Sequence, residues 1–248
     1  MNDPSLAARI DHTLLKAEAT SAQVDAVVAE ALEHGFASVC VNGVYLPRVV
    51  EALAAGGGSD AGVGGGDRPG VKSCAVAGFP LGAMSRQSKA AEAAALARAG
   101  AQEIDFVAHL PYLLDQDESS SHAEFAEVVA AVRLVDQSVT IKVILETACL
   151  MEGVSDEVAE ARVAAGCRAA VAAGCDFVKT STGFHPAGGA TAAAVRLLKR
   201  HAPGLQVKAS GGIRTADDAR QMIDAGADRL GCSAGVAIVT GGRGTSGY

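Results

Sequence analysis

Two short runs of this chain carry the same chemistry in the same order. Val178-Lys179-Thr180-Ser181-Thr182-Gly183 and Val207-Lys208-Ala209-Ser210-Gly211-Gly212 each place Lys after Val, Ser two residues on, and Gly at the end. A lysine inside an apolar run is costly unless it is paired or put to use. If the runs are neighbouring strands, the two ammonium groups come within mutual influence, because adjacent strands lie roughly 4.8 Å apart. A nearby cation and an apolar wall both lower a lysine pKa. One amine is then free to attack a carbonyl, and Lys179 is the expected Schiff-base lysine for an aldehyde substrate. Asp105 and Lys142 stand in the two preceding apolar runs. A carboxylate beside two amines can hold water or a substrate hydroxyl and shuttle protons. The same four residues also suit a purely structural ion-pair network at the centre of a fold.

A second constellation is rich in glycine. Ser210-Gly211-Gly212-Ile213-Arg214 and Gly231-Cys232-Ser233-Ala234-Gly235 read as turns entering helices, and Gly183 closes the first lysine run. Such turns hold phosphate on backbone N–H groups, or serve tight geometry alone. His12, His109 and His185 lie near strand ends, but no pair has metal-ligand spacing, so no metal is expected. His12 is expected to hydrogen-bond locally, and Cys40 to be a packed thiol.

The elements that must position these groups follow one rhythm. An Ala-rich helical stretch ends in Gly, and a short apolar strand follows, as at Ala99-Gly100 before Ile104 and Ala173-Gly174 before Phe177. Strands that are apolar on both faces suit a parallel sheet covered by helices. Eight strands are expected, at 10–15, 38–42, 71–79, 103–110, 140–146, 176–183, 206–212 and 229–233. Helical patterns fall between them at 21–34, 85–99, 124–135, 155–173, 191–201 and 215–225, with Ser21, Ser155 and Thr215 as N-caps. Eight alternating units make an α/β fold, a single (β/α)8 TIM barrel over 1–248, with a doubly wound open sheet as the alternative. Residues 56–66 form a Gly-rich flexible loop, and 240–248 a flexible tail.

Barrel active sites lie at the C-terminal ends of the strands. Among the charged strand residues, Lys72, Glu103, Asp176 and Arg229 stand at strand starts, where they are expected to reach solvent. Asp11, Asp105, Lys142, Glu146, Lys179 and Lys208 remain as charges needing a reason.

Composition narrows the partners. The chain has 248 residues, 49% of them hydrophobic and 4% aromatic, with no Trp. A net charge of −7 gives no basic surplus for nucleic acid or a membrane surface. The six cysteines lack CxxC spacing, and Met1-Asn2-Asp3-Pro4 shows no signal pattern, so a reduced cytoplasmic setting is expected.

Taken together, Ile10-Asp11-His12-Thr13-Leu14-Leu15, Gly78-Phe79-Pro80-Leu81-Gly82, Glu103-Ile104-Asp105-Phe106-Val107, Lys142-Val143-Ile144-Leu145-Glu146-Thr147, Phe177-Val178-Lys179-Thr180-Ser181-Thr182-Gly183 and Lys208-Ala209-Ser210-Gly211-Gly212-Ile213-Arg214-Thr215 resemble the deoxyribose-phosphate aldolases. The resemblance runs over nearly the whole chain. It implies a cofactor-free class I aldolase that reversibly cleaves 2-deoxy-D-ribose 5-phosphate to D-glyceraldehyde 3-phosphate and acetaldehyde. It implies Lys179 as the Schiff-base lysine, Lys208 as the second lysine, Asp105 as the proton donor and acceptor, and Lys142 and Asp11 in the polar network around the substrate hydroxyls. It further implies Gly183, Gly211, Gly212, Gly231 and Ser233 at the phosphate, Tyr248 as a proton relay, and a homodimer. The chain departs from the family's pattern at Ala108-His109, where the family often has Ile-Asn, and at Ala234, where it often has a second Ser. These departures imply a changed pocket wall and one fewer phosphate hydrogen bond. The competing readings are another Schiff-base aldolase or transaldolase, and a non-catalytic barrel that binds a sugar phosphate.

Overall fold

The computed structural model describes residues 3–56 and 70–244. In chain order its elements are α1 (Pro4–Ala7), β1 (Ile10–Leu14), α2 (Ser21–His34), β2 (Ser38–Asn42), α3 (Leu46–Gly56), β3 (Lys72–Ala77), α4 (Arg86–Arg98), β4 (Glu103–Val107), α5 (Leu110–Leu114), α6 (Glu118–Arg133), β5 (Thr140–Ile144), α7 (Thr147–Met151), α8 (Asp156–Ala173), β6 (Phe177–Lys179), α9 (Ala192–His201), β7 (Gln206–Ser210), α10 (Ala216–Asp224), β8 (Arg229–Cys232) and α11 (Gly235–Thr240). All eight strands are parallel, and β1 pairs with β8 to close the barrel, which removes the open-sheet alternative. No helix among the described residues is long and apolar enough to cross a membrane.

Side-chain alternation divides each strand between two buried layers. Val39, Val41, Ile104, Phe106, Ile141, Val143, Val178, Val207 and Leu230 face outward into the core between barrel and helices. The alternate positions turn inward, and they carry nearly every charge in the strands. Register then sets their heights: Asp105 pairs with Lys142, Lys179 with Lys208, and Lys208 with Arg229.

The expected boundaries hold with local corrections. Thr20, not Ser21, caps α2, because its side chain and that of Gln23 make a reciprocal capping box. Ser155 and Thr215 cap α8 and α10. Strand β6 stops at Lys179, and beyond it the Thr180 hydroxyl takes up the bonding to the Ser210 backbone. Helix α6 begins at Glu118, six residues before position 124, because Asp117 accepts from the Ser120 amide at 3.0 Å. Helix α3 was not expected from the pattern. Of the glycine-rich stretch at 56–66, only Gly56 is described, at the end of α3; of the tail expected at 240–248, Thr240 is the last residue of α11 and 241–244 are described, while positions 57–66 and 245–248, with Tyr248, lie outside the described residues.

Candidate active site

The inward charges condense around one carboxylate. Asp105 Oδ1 accepts from Lys142 Nζ at 2.8 Å, while Oδ2 accepts from Lys179 Nζ at 2.8 Å and Lys208 Nζ at 2.7 Å. Lys208 Nζ also lies 2.5 Å from Asp11 Oδ2. Lys142 Nζ lies 2.6 Å from Glu103 Oε2. Arg229 closes the circuit, bonded to Asp11 Oδ1 at 2.9 Å and to both Glu103 oxygens at 2.8 Å.

Charge counting separates the lysines. The buried cluster holds four cations (Lys142, Lys179, Lys208, Arg229) against three carboxylates (Asp11, Glu103, Asp105), and the exposed Lys72 reaches Glu103 at 3.6 Å only from the solvent side. One positive charge is therefore in excess. Lys142, Lys208 and Arg229 each touch two carboxylates; Lys179 touches only Asp105. Its side chain keeps 3% exposure, whereas those of Lys142 and Lys208 keep 0%. Lys179 thus has the fewest ion pairs of the four cations and is the least enclosed of the three buried lysines.

The protonation of the other groups follows from the same contacts. Burial alone would raise the Asp105 carboxyl, but Lys142, Lys179 and Lys208 outweigh it and hold it well below the usual carboxylate range. Asp11 is likewise held low against burial, by Lys208 and then Arg229. Burial would lower Lys208, yet Asp105 and Asp11 hold it well above the ordinary lysine value. Lys142 is raised in the same way against burial, chiefly by Asp105. The sequence suggested two ammonium groups acting directly on one another. The structure instead sets a carboxylate oxygen between them, so Lys208 acts on Lys179 by competing for that oxygen.

Glu103 and Arg229 were expected to reach solvent from the strand starts. That expectation is overturned: Glu103 is 1% exposed and both are built into the ion network. Parity was the signal, since Glu103 stands two residues from Asp105 and so shares its inward face. Lys72 does reach solvent, and Asp176 lies partly exposed beside Arg133.

The turns above the strands shape the entrance. Gly183, Gly211 and Gly212 have φ of 84°, 88° and 84°, the left-handed region that glycine enters freely. A Cβ on Gly211 would lie 2.9 Å from Gly189 Cα and 3.3 Å from Gly183 Cα, so the turns after β6 and β7 pack backbone against backbone. Gly231 stands in register with Ser210 and Asp11, and Ser233 follows β8. Ala234 is buried at the start of α11 and brings no hydroxyl. The amide of Gly244 donates to the Arg214 carbonyl at 3.0 Å, returning the tail across Ala234.

A cavity of about 410 Å³ opens at this end, lined by Leu81, Leu110, Glu146, Thr182, Phe184 and His185 among others. Glu146 takes a left-handed φ of 53° and accepts from the Thr182 amide at 3.2 Å and its hydroxyl at 2.5 Å. Burial raises the Glu146 carboxyl, with the Thr182 hydrogen bonds opposing. Lys89, a fully buried ion-pair partner of Glu124, ties Gly82 to Val107 and so joins the loop after β3 to the end of β4. Ala108 packs into the outer core, and the His109 ring meets Tyr112 at 4.6 Å. His12 bonds Glu30 at 2.6 Å, the local role expected of it.

A family model described as DeoC/LacD family aldolase matches residues 6–241. The chain is 46% identical to the deoxyribose-phosphate aldolase of Deinococcus radiodurans over 245 residues, covering 98% of this chain and 100% of that one. It is 44% identical to the deoxyribose-phosphate aldolase of Brevibacillus brevis over 241 residues, 96% of this chain and 97% of that one. Among solved structures, the tetrameric deoxyribose phosphate aldolase from Aeropyrum pernix matches with a TM-score of 0.80 at 33% identity, covering 96% of this chain and 90% of that one.

Proposed function

The chain belongs to the DeoC/LacD family of aldolases, and from that premise we propose that it is a class I deoxyribose-phosphate aldolase whose imine forms on Lys179. It cleaves 2-deoxy-D-ribose 5-phosphate, reversibly, to D-glyceraldehyde 3-phosphate and acetaldehyde, and needs no cofactor. The observation that carries the assignment of Lys179 is the excess of one positive charge in a buried ring whose other cations each touch two carboxylates, while Lys179 touches one.

The reaction follows from that ring. Lys179 Nζ attacks C1 of the open-chain sugar. The carbonyl oxygen takes one proton from the attacking nitrogen and one from the Lys208 ammonium by way of Asp105, and leaves as water. Lys208 regains a proton from the C3 hydroxyl as the C2–C3 bond breaks. The bonding electrons flow into the iminium and leave an enamine on Lys179, while glyceraldehyde 3-phosphate departs. Lys208 then protonates C2, and hydrolysis of the new iminium returns acetaldehyde, the free amine and the Lys208 proton. Lys142 and Asp11 reach this chemistry through Asp105 and Lys208, which they hold in place.

Gly183, Gly211, Gly212, Gly231 and Ser233 are assigned to the phosphate. Their support is the pair of left-handed turns packed at the ends of β6 and β7, beside β8. Tyr248 is assigned as a proton relay from the tail. A homodimer in the reducing cytoplasm completes the reading; six free thiols suit that compartment. Light scattering of the eluted protein tests the dimer.

Borohydride reduction in the presence of acetaldehyde is expected to leave one ethyl group on Lys179, located by peptide mapping. Lys179→Ala should lower cleavage more than about a thousandfold, the scale of removing a nucleophile. Full activity in that variant, or a label on another lysine, sinks the mechanism.

A further inference from the structure

Two thiols lie beside the Asp105 ion network and have no part in the chemistry above. Cys40 on β2 and Cys74 on β3 are in-register partners, both fully buried. Their Sγ atoms and an Asp105 carboxylate oxygen lie within 4.8 Å of one another. Cys74 donates to Asp105 Oδ1 at 3.5 Å and accepts from Lys142 Nζ at 3.6 Å. A metal cation is a poor occupant here, because three ammonium groups already surround that carboxylate. The thiols pack with Leu15, Val76 and Phe79. The Phe79 ring meets Phe184 edge-on at 5.2 Å, and Phe184 lines the entrance cavity. Two side chains, Phe184 and Phe79, therefore separate a small solute in the cavity from the pair.

We propose that Cys40 and Cys74 form a reversible disulfide when a small peroxide enters the site, and that this bond switches Lys179 chemistry off. Adjacent strands hold partner Cα atoms about 4.8 Å apart, inside the roughly 4.4–6.8 Å that a disulfide spans. The roles of the two sulfurs differ. Cys74 commits its one S–H to the Asp105 carboxylate, and burial together with that anion keeps its thiol protonated. Cys40 is accordingly the attacking thiolate. Its sulfur bonds to one peroxide oxygen, the O–O bond breaks, and hydroxide leaves and is protonated to water. The Cys74 sulfur then attacks the Cys40 sulfenic acid. The S–O bond breaks, and hydroxide departs as a second water with the Cys74 proton. Two thiols lose two hydrogens, and one peroxide becomes two waters.

The bond draws Cys74 Sγ toward Cys40 and away from Asp105 Oδ1, which removes a donor from the carboxylate that Lys179 and Lys208 share. The switch rests on the aldolase reading; the bond itself does not. The test treats the full chain with hydrogen peroxide, quenches with iodoacetamide, and divides the sample between peptide mapping and cleavage assay. The expected result is a Cys40–Cys74 linked peptide and an activity loss of about tenfold or more, the scale of disturbed proton transfer, with dithiothreitol reversing both. In Cys74→Ala the linked peptide and the dithiothreitol-reversible loss should both vanish. Absence of the linked peptide in the unmodified sequence overturns the site, and a linked peptide with undiminished activity overturns the switch. Failure of borohydride trapping on untreated protein would strike the aldolase reading alone, since the peptide map needs no activity.

Discussion

One oxygen of Asp105 accepts from Lys179 and Lys208 and the other from Lys142, so neutralising this side chain unbalances three buried ammonium groups at once. Asn keeps the shape but turns an amide NH2 toward cations. Asp105→Asn is expected to lower kcat by about 10²–10⁴-fold, the range for loss of a proton shuttle. Trapping of Lys179 by borohydride should slow with it; normal kcat with normal trapping would remove Asp105 from the mechanism. Ala234 supplies the opposite experiment. It sits at the start of α11, directly after Ser233, without a hydroxyl. Ala234→Ser is expected to lower KM for the phosphorylated substrate about 2–10-fold while leaving kcat in place, the gain of one hydrogen bond to a charged group. Steady-state kinetics would show it, and an unchanged KM would place the phosphate elsewhere.

At the scale of elements, the turns after β6 and β7 are the parts least able to change. Gly211 combines a left-handed φ of 88° with a neighbour only 2.9 Å from any added Cβ, and that neighbour is backbone. Gly211→Ala should cost about 1–3 kcal/mol of unfolding free energy through backbone strain, read by urea denaturation, and should raise KM for the sugar phosphate. A variant with wild-type stability and KM would show that the turn tolerates rearrangement. These elements were unequally legible in the sequence. The barrel strands and most surrounding helices announced themselves through Gly after Ala-rich helices, with short apolar strands following. Lys179, Lys208, Asp105 and Lys142 stood out because charges in apolar strands are rare, and the register brings all four together. Glu103 and Arg229 were misplaced because a strand start looks solvent-facing until barrel closure turns it inward. Cys74 carried no charge to mark it. Lys89 and Glu124 lie on helices, where ions ordinarily face water, and only the tertiary structure shows that they meet in the interior.

For the molecule as a whole, the ion network makes stability depend on acid. Asp11 and Asp105 are held below their ordinary value of 3.8. A carboxylate with a depressed folded-state pKa contributes stability that is complete above its unfolded value and is lost as pH falls through the folded one. The melting temperature should therefore hold from about pH 7 to about pH 5 and fall increasingly below about pH 4, as the unfolded chain takes up protons that the folded chain refuses. A flat profile down to about pH 3 would contradict the ionised state of the pair. The same groups reach from β1, β4 and β5 to β6, β7 and β8, with Asp11, Glu103, Asp105, Lys142, Lys179, Lys208 and Arg229 all joined. A protein engineer transplanting this chemistry into another barrel could not carry Lys179 alone. The reactive amine is the remainder of a sum over six strands, so the smallest graft that keeps its reactivity is the whole ring of ions, with the register that sets their heights.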